Sequence, residues 1–506
     1  MQADKQSVVC IGAGPAGLTA AYQLSGDGYR VTVLEQDPVY VGGISRTVEH
    51  KGFAFDIGGH RFFSKSAEVE NLWSEILADD FLERPRKSRI YYRGQFFDYP
   101  IRAMDALSKL GMIESARCLA SYLSIKIFPY KEPRTVEQWV TNHFGRRLFQ
   151  IFFQTYTEKV WGMKCSEISA DWAAQRIKGL SLTKAIWHAL VPQKEHGSRD
   201  AVIKTLVTSF RYPRRGPGML WEAAAERIRA NGGKVLLGQR VETLQWERGA
   251  GEWRVTSKGA DGGVTQVTAA HVISSMPLRE LVQSLQPAPS SGVLDAARRL
   301  RYRDFLVVAL VVKDRGLFDD NWIYIHDPGV KVGRVQNFKS WSPEMVPNED
   351  LNCYGMEYFC FEGDGLWTSE DSELIRLASA ELVKLGLAAA TDIVDGSVVR
   401  QPKAYPVYDD AYQHHVATIR AALESDYPNL QPVGRNGMHK YNNQDHAMMT
   451  AMLAVKNIQS GRRQFDLWRV NQDAEYHEEG EAGRDEALAS PRGDSAVGGR
   501  LVPRRL

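Results

Sequence analysis

The chain has 506 residues and a mass of 56.9 kDa, room for about three domains around cores that need no disulfide staples. Hydrophobic residues make up 43% and charged residues 25%, an ordinary globular composition. With 63 Lys+Arg against 61 Asp+Glu the formal charge is +2, which excludes a protein built mainly to bind nucleic acid but leaves room for a local basic pocket.

In chain order, the apolar run 7–11 (SVVCI) reads as a strand. It is followed by GAGPAGLTAAYQL, with helical spacing, a GDGYR turn and a second strand, VTVLE. Strand, glycine turn, helix, strand is a βαβ unit and implies a parallel sheet. Residues 66–80 and 103–125 read as helices, and 135–190 as a mainly helical, aromatic-rich block. Strands return at 232–237, 241–246 and 271–275. Residues 302–312, 321–325 and 353–361 suggest a further, antiparallel sheet, and 443–458 a closing helix. From about Asn471 the chain is charged, small and Gly-rich, the composition of a disordered tail. No repeat of 20–50 residues is present. The longest strongly apolar run, Phe305–Val312, is strand-sized and far short of a membrane span. Five cysteines, an odd number without a CxxC pair, argue against a disulfide scaffold or zinc site. No histidine cluster or EF-hand-like loop suggests a metal either. With the polar MQADKQ start, these features point to a reducing, cytoplasmic setting without a signal peptide.

Gly12, Gly14 and Gly17 form G-x-G-x-x-G after the first strand. Gly12 permits the tight turn, Gly14 the approach of a pyrophosphate to the backbone, and Gly17 close helix–strand packing. The helix that follows offers free N–H groups and a positive dipole end to phosphate. Glu35 ends the second strand, where a carboxylate can accept from ribose hydroxyls. The bland alternative is a glycine turn that merely packs a βαβ unit. Gly42-Gly43-Ile44-Ser45-Arg46-Thr47 then supplies a second Gly-Gly turn and an arginine. It resembles the GGxxRT extension of flavoproteins in the amine oxidase and protoporphyrinogen oxidase superfamily, where the arginine lies near the cofactor's pyrophosphate. The alternative for Arg46 is a surface salt bridge. In Phe55–His60 (FDIGGH) the glycines Gly58 and Gly59 permit close approach to a flat ring. No second nucleotide motif is present, so electrons for a flavin would come from an external reductant.

Six segments resemble the UDP-galactopyranose mutase family in order and spacing: Phe55–Phe63, Tyr91–Pro100, Thr155–Ile177, Asn321–Pro343, Ala404–Asp410 and Gly434–Met449. The likeness to the family's eukaryotic pattern is greatest around Trp172–Arg176 and Asn443–His446. The resemblance implies an α/β fold: a Rossmann-like FAD-binding domain with an inserted helical domain and an antiparallel-sheet substrate domain. The expected division is 1–100 for the first part of the FAD domain, 101–200 for the helical substrate-binding insertion and 201–300 for the return of the FAD domain. Residues 301–410 form the sheet domain, 411–470 the closing FAD segment and helix, and 471–506 the tail.

By the same resemblance, Arg176 and Arg334 clamp a substrate diphosphate as planar forks. Tyr324, Tyr405 and Tyr441 donate to the phosphates, and Tyr156 and Trp161 cradle the base. The bland reading makes Trp161 and Trp172 core residues and the arginines structural ion pairs. His60 lies at the flavin's reactive side, and Asn443 and Gln444 contact the flavin from the start of the last helix, where the dipole stabilises negative charge. Asp445 has a helix cap as its alternative. Gly43, Gly59 and Val241 complete the cofactor-binding set. His60, Arg176 and Arg334 are the expected catalytic residues.

The implied reaction is the redox-neutral interconversion of pyranose and furanose forms of a nucleotide-diphosphate hexose by reduced FAD, through a flavin N5–sugar adduct. A flavin oxidase or desaturase is the main competing reading, and a non-catalytic FAD module a third. The arginine–tyrosine set favours the mutase, since an oxidase of that superfamily would favour an apolar tunnel. A homo-oligomer is compatible with all three. The Arg435–Asn443 spacing is shorter than in the eukaryotic pattern, Trp187–Arg199 has no counterpart there, and Arg303 reads as either a further phosphate ligand or a surface residue.

Overall fold

Val8, Val9, Cys10 and Ile11 are all buried, and a strand apolar on both faces belongs inside a parallel sheet. In the computed structural model, which describes residues 6–99, 101, 103–170 and 208–470, Ser7–Ile11 is the central strand of five. The order is Leu430–Pro432, His271–Ser274, Ser7–Ile11, Arg30–Leu34, Lys234–Leu236, and every pairing is parallel. Strands that meet here come from both ends of the chain, so the dinucleotide fold closes only once the last segment has returned. The last helix, Gln444–Gln459, is buried nearly all round and packs on the first helix, Pro15–Gly26. That burial suits a helix whose stretch 447–455 is Ala, Met, Thr, Leu and Val with no charge.

A four-stranded sheet, Val264–Ala269, Glu252–Gly259, Gln239–Glu247 and Leu285–Gln286, flanks this layer. The third sheet has seven strands, in the order Ile393–Pro406, Tyr302–Lys313, Leu351–Cys360, Arg334–Asn337, Trp322–Ile325, Ser88–Tyr92, Gln95–Asp98. It is antiparallel as expected except at one seam, where Trp322–Ile325 runs parallel to Ser88–Tyr92. The exception arises because Ser88–Asp98 is a self-contained hairpin from much earlier in the chain that docks by its edge. Its two-residue turn, Arg93-Gly94, has φ of 50° and 79°, the left-handed pair that matches strand twist.

The helical block contains Ala103–Leu110, Met112–Ile127, Val136–Phe144 and Arg146–Phe149. A π turn, Gln150–Gln154, then runs directly into Thr155–Trp161, the helix that carries Tyr156. Single π turns inside helices recur at functional sites because they re-aim the next turn. Among the described residues no helix is long and apolar enough to cross a membrane, and no group of His, Cys, Asp and Glu is placed to hold a metal ion. All five cysteines are buried and free. Arg176, Trp172, Trp187–Arg199 and the tail from 471 lie outside the described residues.

Candidate functional site

The glycines of the first turn meet their expected tasks in different ways. Gly12 has φ of 92°, and a Cβ there would fall 2.3 Å from Ser275 Oγ. A Cβ on Gly17 would fall 1.9 Å from the Gly12 carbonyl oxygen, so only glycine lets the helix pack this close to the strand. Gly14 is the N-cap of Pro15–Gly26, and a Cβ on it would meet only Gly43 Cα, at 3.9 Å. The two Gly turns thus face each other at a helix N-terminus and leave a cradle with no side chains in it. Glu35 Oε2 accepts from Ala13 N–H at 2.6 Å and Oε1 from Asp37 N–H at 2.9 Å. Each oxygen keeps a lone pair for a ribose hydroxyl. Burial raises the Glu35 pKa, and the two backbone donors oppose it. Gln239 N–H donates to Glu35 O at 2.7 Å, which brings Val241, on the same strand, near this end of the sheet. Arg46 Nη1 donates to Gly43 O at 2.8 Å and to Gln401 Oε1 at 2.5 Å, and its Nε lies 3.8 Å from Asp37 Oδ2. It is mostly buried against the second Gly turn and is no surface salt bridge.

At the other end, Gly58-Gly59-His60 follows the strand Phe53–Asp56. Gly58 has φ of 94°, and a Cβ on it would come within 3.8 Å of the His60 ring and 3.9 Å of Arg334 Nη2. Gly59 is exposed, and a Cβ would press on Trp341 at 3.0 Å. His60 Nδ1 is enclosed without a hydrogen-bond partner. Burial, then the charges of Arg435 and Arg334, push the His60 pKa down to about 3, so the ring is neutral at neutral pH. Asn443 caps the last helix in a reciprocal box in which its N–H donates to His446 Nδ1 at 3.3 Å. The cap is therefore Asn443 and not Asp445, which is buried two residues further on, within the first turn, and accepts from Ser64 Oγ at 3.4 Å. Gln444 Nε2 donates to Arg61 O at 3.1 Å, while its Oε1 is enclosed without a partner.

The wall beside this turn is built by the seven-stranded sheet. Arg334 and Glu357 are direct cross-strand partners, and Arg334 Nε donates to Glu357 Oε2. Glu357 Oε1 accepts from Gln336 Nε2 at 2.8 Å. Burial alone would lower the Arg334 pKa, but Glu357 and the oxygens of Tyr156, Tyr405 and Tyr324 leave it raised well above its ordinary value. A mostly buried, permanently charged guanidinium, its side chain 17% exposed, is thus held at the meeting point of three of the expected tyrosines. Tyr405 and Tyr441 stack at 5.6 Å and 10°, and Tyr324 packs edge-on to Tyr156 at 5.3 Å. Arg435 lies over both stacked rings, at 5.2 and 4.8 Å, and donates to the Asn442 and Ala404 carbonyls. Burial raises Tyr156 well above its usual pKa, and burial with Tyr441 takes Tyr405 to about 12, so both keep their O–H as donors.

Trp161 reaches the tyrosine wall through Tyr408, on which it stacks at 6.5 Å and 21° and whose hydroxyl accepts from Tyr441 N–H. Its indole is 2% exposed and packs with Val136, Val140, Phe149 and Ile168 in the helical core. One expectation, that for Arg303, needs correction. Arg303 is neither a phosphate ligand nor a surface residue. It is buried and donates to the Val160, Lys159 and Phe359 carbonyls, pinning the end of Thr155–Trp161 to the sheet. Glu357 and Arg435 were missed. For Glu357 the signal was a lone carboxylate in an otherwise uncharged strand, LNCYGMEYFC.

A side-chain-free cradle between two helix-bordering glycine turns, with unpartnered polar atoms on His60 and Gln444 further along, fits a flavin dinucleotide. The sequence matches the flavin containing amine oxidoreductase family over residues 15–431, so the chain belongs to that family of flavin-dependent enzymes. Within it, the fold is that of the crystal structure of reduced UDP-galactopyranose mutase, with a TM-score of 0.78 at 22% identity over 94% of this chain and 99% of that one. A Klebsiella pneumoniae protein described as "Probable UDP-galactopyranose mutase" is 27% identical over 174 residues, 33% of this chain and 44% of the relative. A 4,4'-diapophytoene desaturase from Methylomonas sp is 23% identical over 296 residues, 51% of this chain and 52% of that protein. The chain thus spans about half the length of these curated relatives.

Proposed function

We propose that this protein is an FAD-dependent nucleotide-sugar mutase that interconverts the pyranose and furanose forms of a nucleotide-diphosphate hexose, active with reduced flavin and redox-neutral overall. The observation that carries the reading is the buried Arg334–Glu357 pair ringed by Tyr156, Tyr324 and Tyr405 next to Gly58-Gly59-His60. A desaturase or oxidase acting on an apolar molecule gains nothing from a desolvated cation at that place. A diphosphate gains charge-assisted hydrogen bonds from Arg334 and neutral donors from the tyrosines. Arg435, on the Tyr405–Tyr441 stack, adds a second positive charge to the same wall.

FAD is the flavin that suits the long cradle, with Gly12, Gly14, Gly17, Gly43 and Arg46 at its pyrophosphate, Glu35 and Val241 at the ribose end, and Gly59, His60, Asn443 and Gln444 at the ring. When bound and reduced, FAD supplies a nucleophilic ring nitrogen and returns unchanged at the end of the cycle. The protein's own work is to hold the diphosphate as it leaves and returns, through Arg334 and the tyrosine hydroxyls, and to orient the sugar. Arg176 is the second arm of the clamp by resemblance. Neutral His60 can accept or donate one hydrogen bond at the ring without adding charge. A cytoplasmic setting and an external reductant complete the reading.

The test is a titration of the oxidised holoprotein, read by flavin absorbance, with uridine diphosphate, uridine monophosphate and a long-chain polyene. Perturbation by the diphosphate that vanishes in Arg334→Ala supports the reading. A response to the polyene alone would replace it with the desaturase reading.

A further inference from the structure

The helix Met112–Ile127 has a face that none of the described residues covers. Among the described residues eleven large apolar side chains are strongly exposed, and seven of them fall between Met112 and Tyr130. Met112 is 90% exposed, Ile113 75%, Ile127 69% and Phe128 77%, with Leu119 and Leu123 about half exposed. At 3.6 residues per turn these helix positions, with Ala116 and Ala120 between them, share one arc of about 120°. Arg117 and Lys126 border the arc on its two sides, Arg117 within 3.6 Å of Glu114 and Lys126 Nζ donating to Asn142 O at 3.2 Å. The opposite face is anchored, since Cys118 and Tyr122 are buried and Cys118 packs with Ile151 and Phe152. Glu114, the helix's one carboxylate, lies toward the protein and pairs with Arg147 as well as Arg117.

We propose that this face, with the Phe128-Pro129-Tyr130 tip, seats the protein on the surface of an anionic bilayer. An outward arc that is wholly apolar and bordered by cations matches a helix lying in the plane of the headgroups, apolar side down, with Arg and Lys reaching up to lipid phosphates. Its 16 residues extend about 24 Å, enough to lie along a surface and too few to cross one. At its end the exposed Phe128 adds apolar area, and Tyr130 is an amphipathic ring of the kind favoured at that depth. Between Lys109 and Arg134 there are five basic residues and two acidic ones, so the charge complements anionic lipid. A second copy is the poorer occupant. Packing this face on itself would bring the Arg117 and Lys126 borders of both copies together, with no outward carboxylate between them.

The experiment is flotation of the flavin-loaded protein with vesicles of phosphatidylcholine alone and of phosphatidylcholine mixed with phosphatidylglycerol, at low and high salt. Wild type should float with the anionic vesicles and lose much of that binding at high salt. Leu119→Glu/Leu123→Glu should reduce the partition coefficient about a hundredfold. Arg117→Ala and Lys126→Ala should each reduce it about fivefold on the anionic vesicles. Both leucines face outward, so flavin content and melting temperature of the glutamate variant should match wild type, which separates lost docking from lost fold. Absence of wild-type flotation with either vesicle, or flotation that the glutamate pair leaves unchanged, would overturn the proposal. Concentration-dependent self-association without lipid, abolished by the same pair, would assign the face to a dimer instead.

Discussion

Replacing Glu357 by Gln isolates what the buried ion pair does. The substitution keeps shape and an acceptor for Gln336 but leaves the Arg334 guanidinium uncompensated in a buried site. Breaking one side of such a pair costs about 3–5 kcal/mol, because the remaining charge has lost both water and partner. Converting both residues, Arg334→Met with Glu357→Leu, removes that stranded charge, and such replacements are neutral or stabilising by about 1–4 kcal/mol. The single variant should therefore unfold at lower denaturant than wild type, while the double apolar variant recovers or exceeds wild-type stability. Function should run the other way. The double variant should lose uridine diphosphate affinity by one to two decades, the worth of a charged hydrogen bond of about 1.5–3 kcal/mol. In the Glu357→Gln variant the ligand's negative charge should partly replace the missing carboxylate, so added diphosphate should raise its stability more than that of wild type. Denaturant unfolding with and without ligand, followed by tryptophan fluorescence, reads all four quantities. A double variant as unstable as the single, or one that keeps its diphosphate affinity, would refute the claim that this pair serves ligand binding rather than folding.

Gly17→Ala should abolish the folded, flavin-loaded protein, since its Cβ would overlap the Gly12 carbonyl, whereas Gly14→Ala should fold and lose flavin, its methyl projecting into the cradle. Flavin absorbance per chain and melting curves distinguish the two. Asp56 should make stability pH-dependent. Burial raises its carboxyl from 3.8 to about 7, against hydrogen bonds from Tyr212 and Thr47, so between those values the folded chain holds a proton that the unfolded chain has released. Stability should fall as pH rises through that window, by about 4 kcal/mol in total, and Asp56→Asn should flatten the curve. A wild-type unfolding midpoint that does not decline from pH 5 to 7 more than the variant's would remove this assignment. Trp161→Phe should lower stability by about 1–3 kcal/mol and leave nucleotide affinity within twofold, as its buried packing requires. An affinity loss without destabilisation would show that Trp161 contacts the ligand.

The parts of the fold carried by local rules were readable from the residues. Gly12, Gly14 and Gly17 between two apolar strands can hardly do anything but turn tightly, and the eight-residue apolar run 305–312 can only be a buried strand. What could not be read was set by register across the sheet. Arg334 faces Glu357 only because their strands pair at that register, and 22 intervening residues hide the relation. The parallel seam between Trp322–Ile325 and Ser88–Tyr92 joins segments more than 200 residues apart, and no local pattern specifies it. Arg303 was misread, and Trp161 left open between core and ligand, for a common reason. An aromatic or an arginine reads alike in sequence whether it faces a ligand or a neighbour's carbonyls, and only burial and partners separate the two cases. Arg435 was quoted within a segment but given no role, since its position over Tyr405 and Tyr441 depends on the chain's return.

The most direct test of the central claim is turnover without oxygen. The purified protein, reduced with dithionite, is incubated with UDP-galactose and a panel of other nucleotide sugars, with the oxidised protein as control, and the products are separated by chromatography and weighed by mass spectrometry. The account predicts a new species of unchanged mass from at least one nucleotide sugar, formed only by the reduced protein and absent with Arg334→Ala. No isomer from any sugar, together with oxygen consumption or peroxide when an apolar reductant is supplied in air, would contradict it.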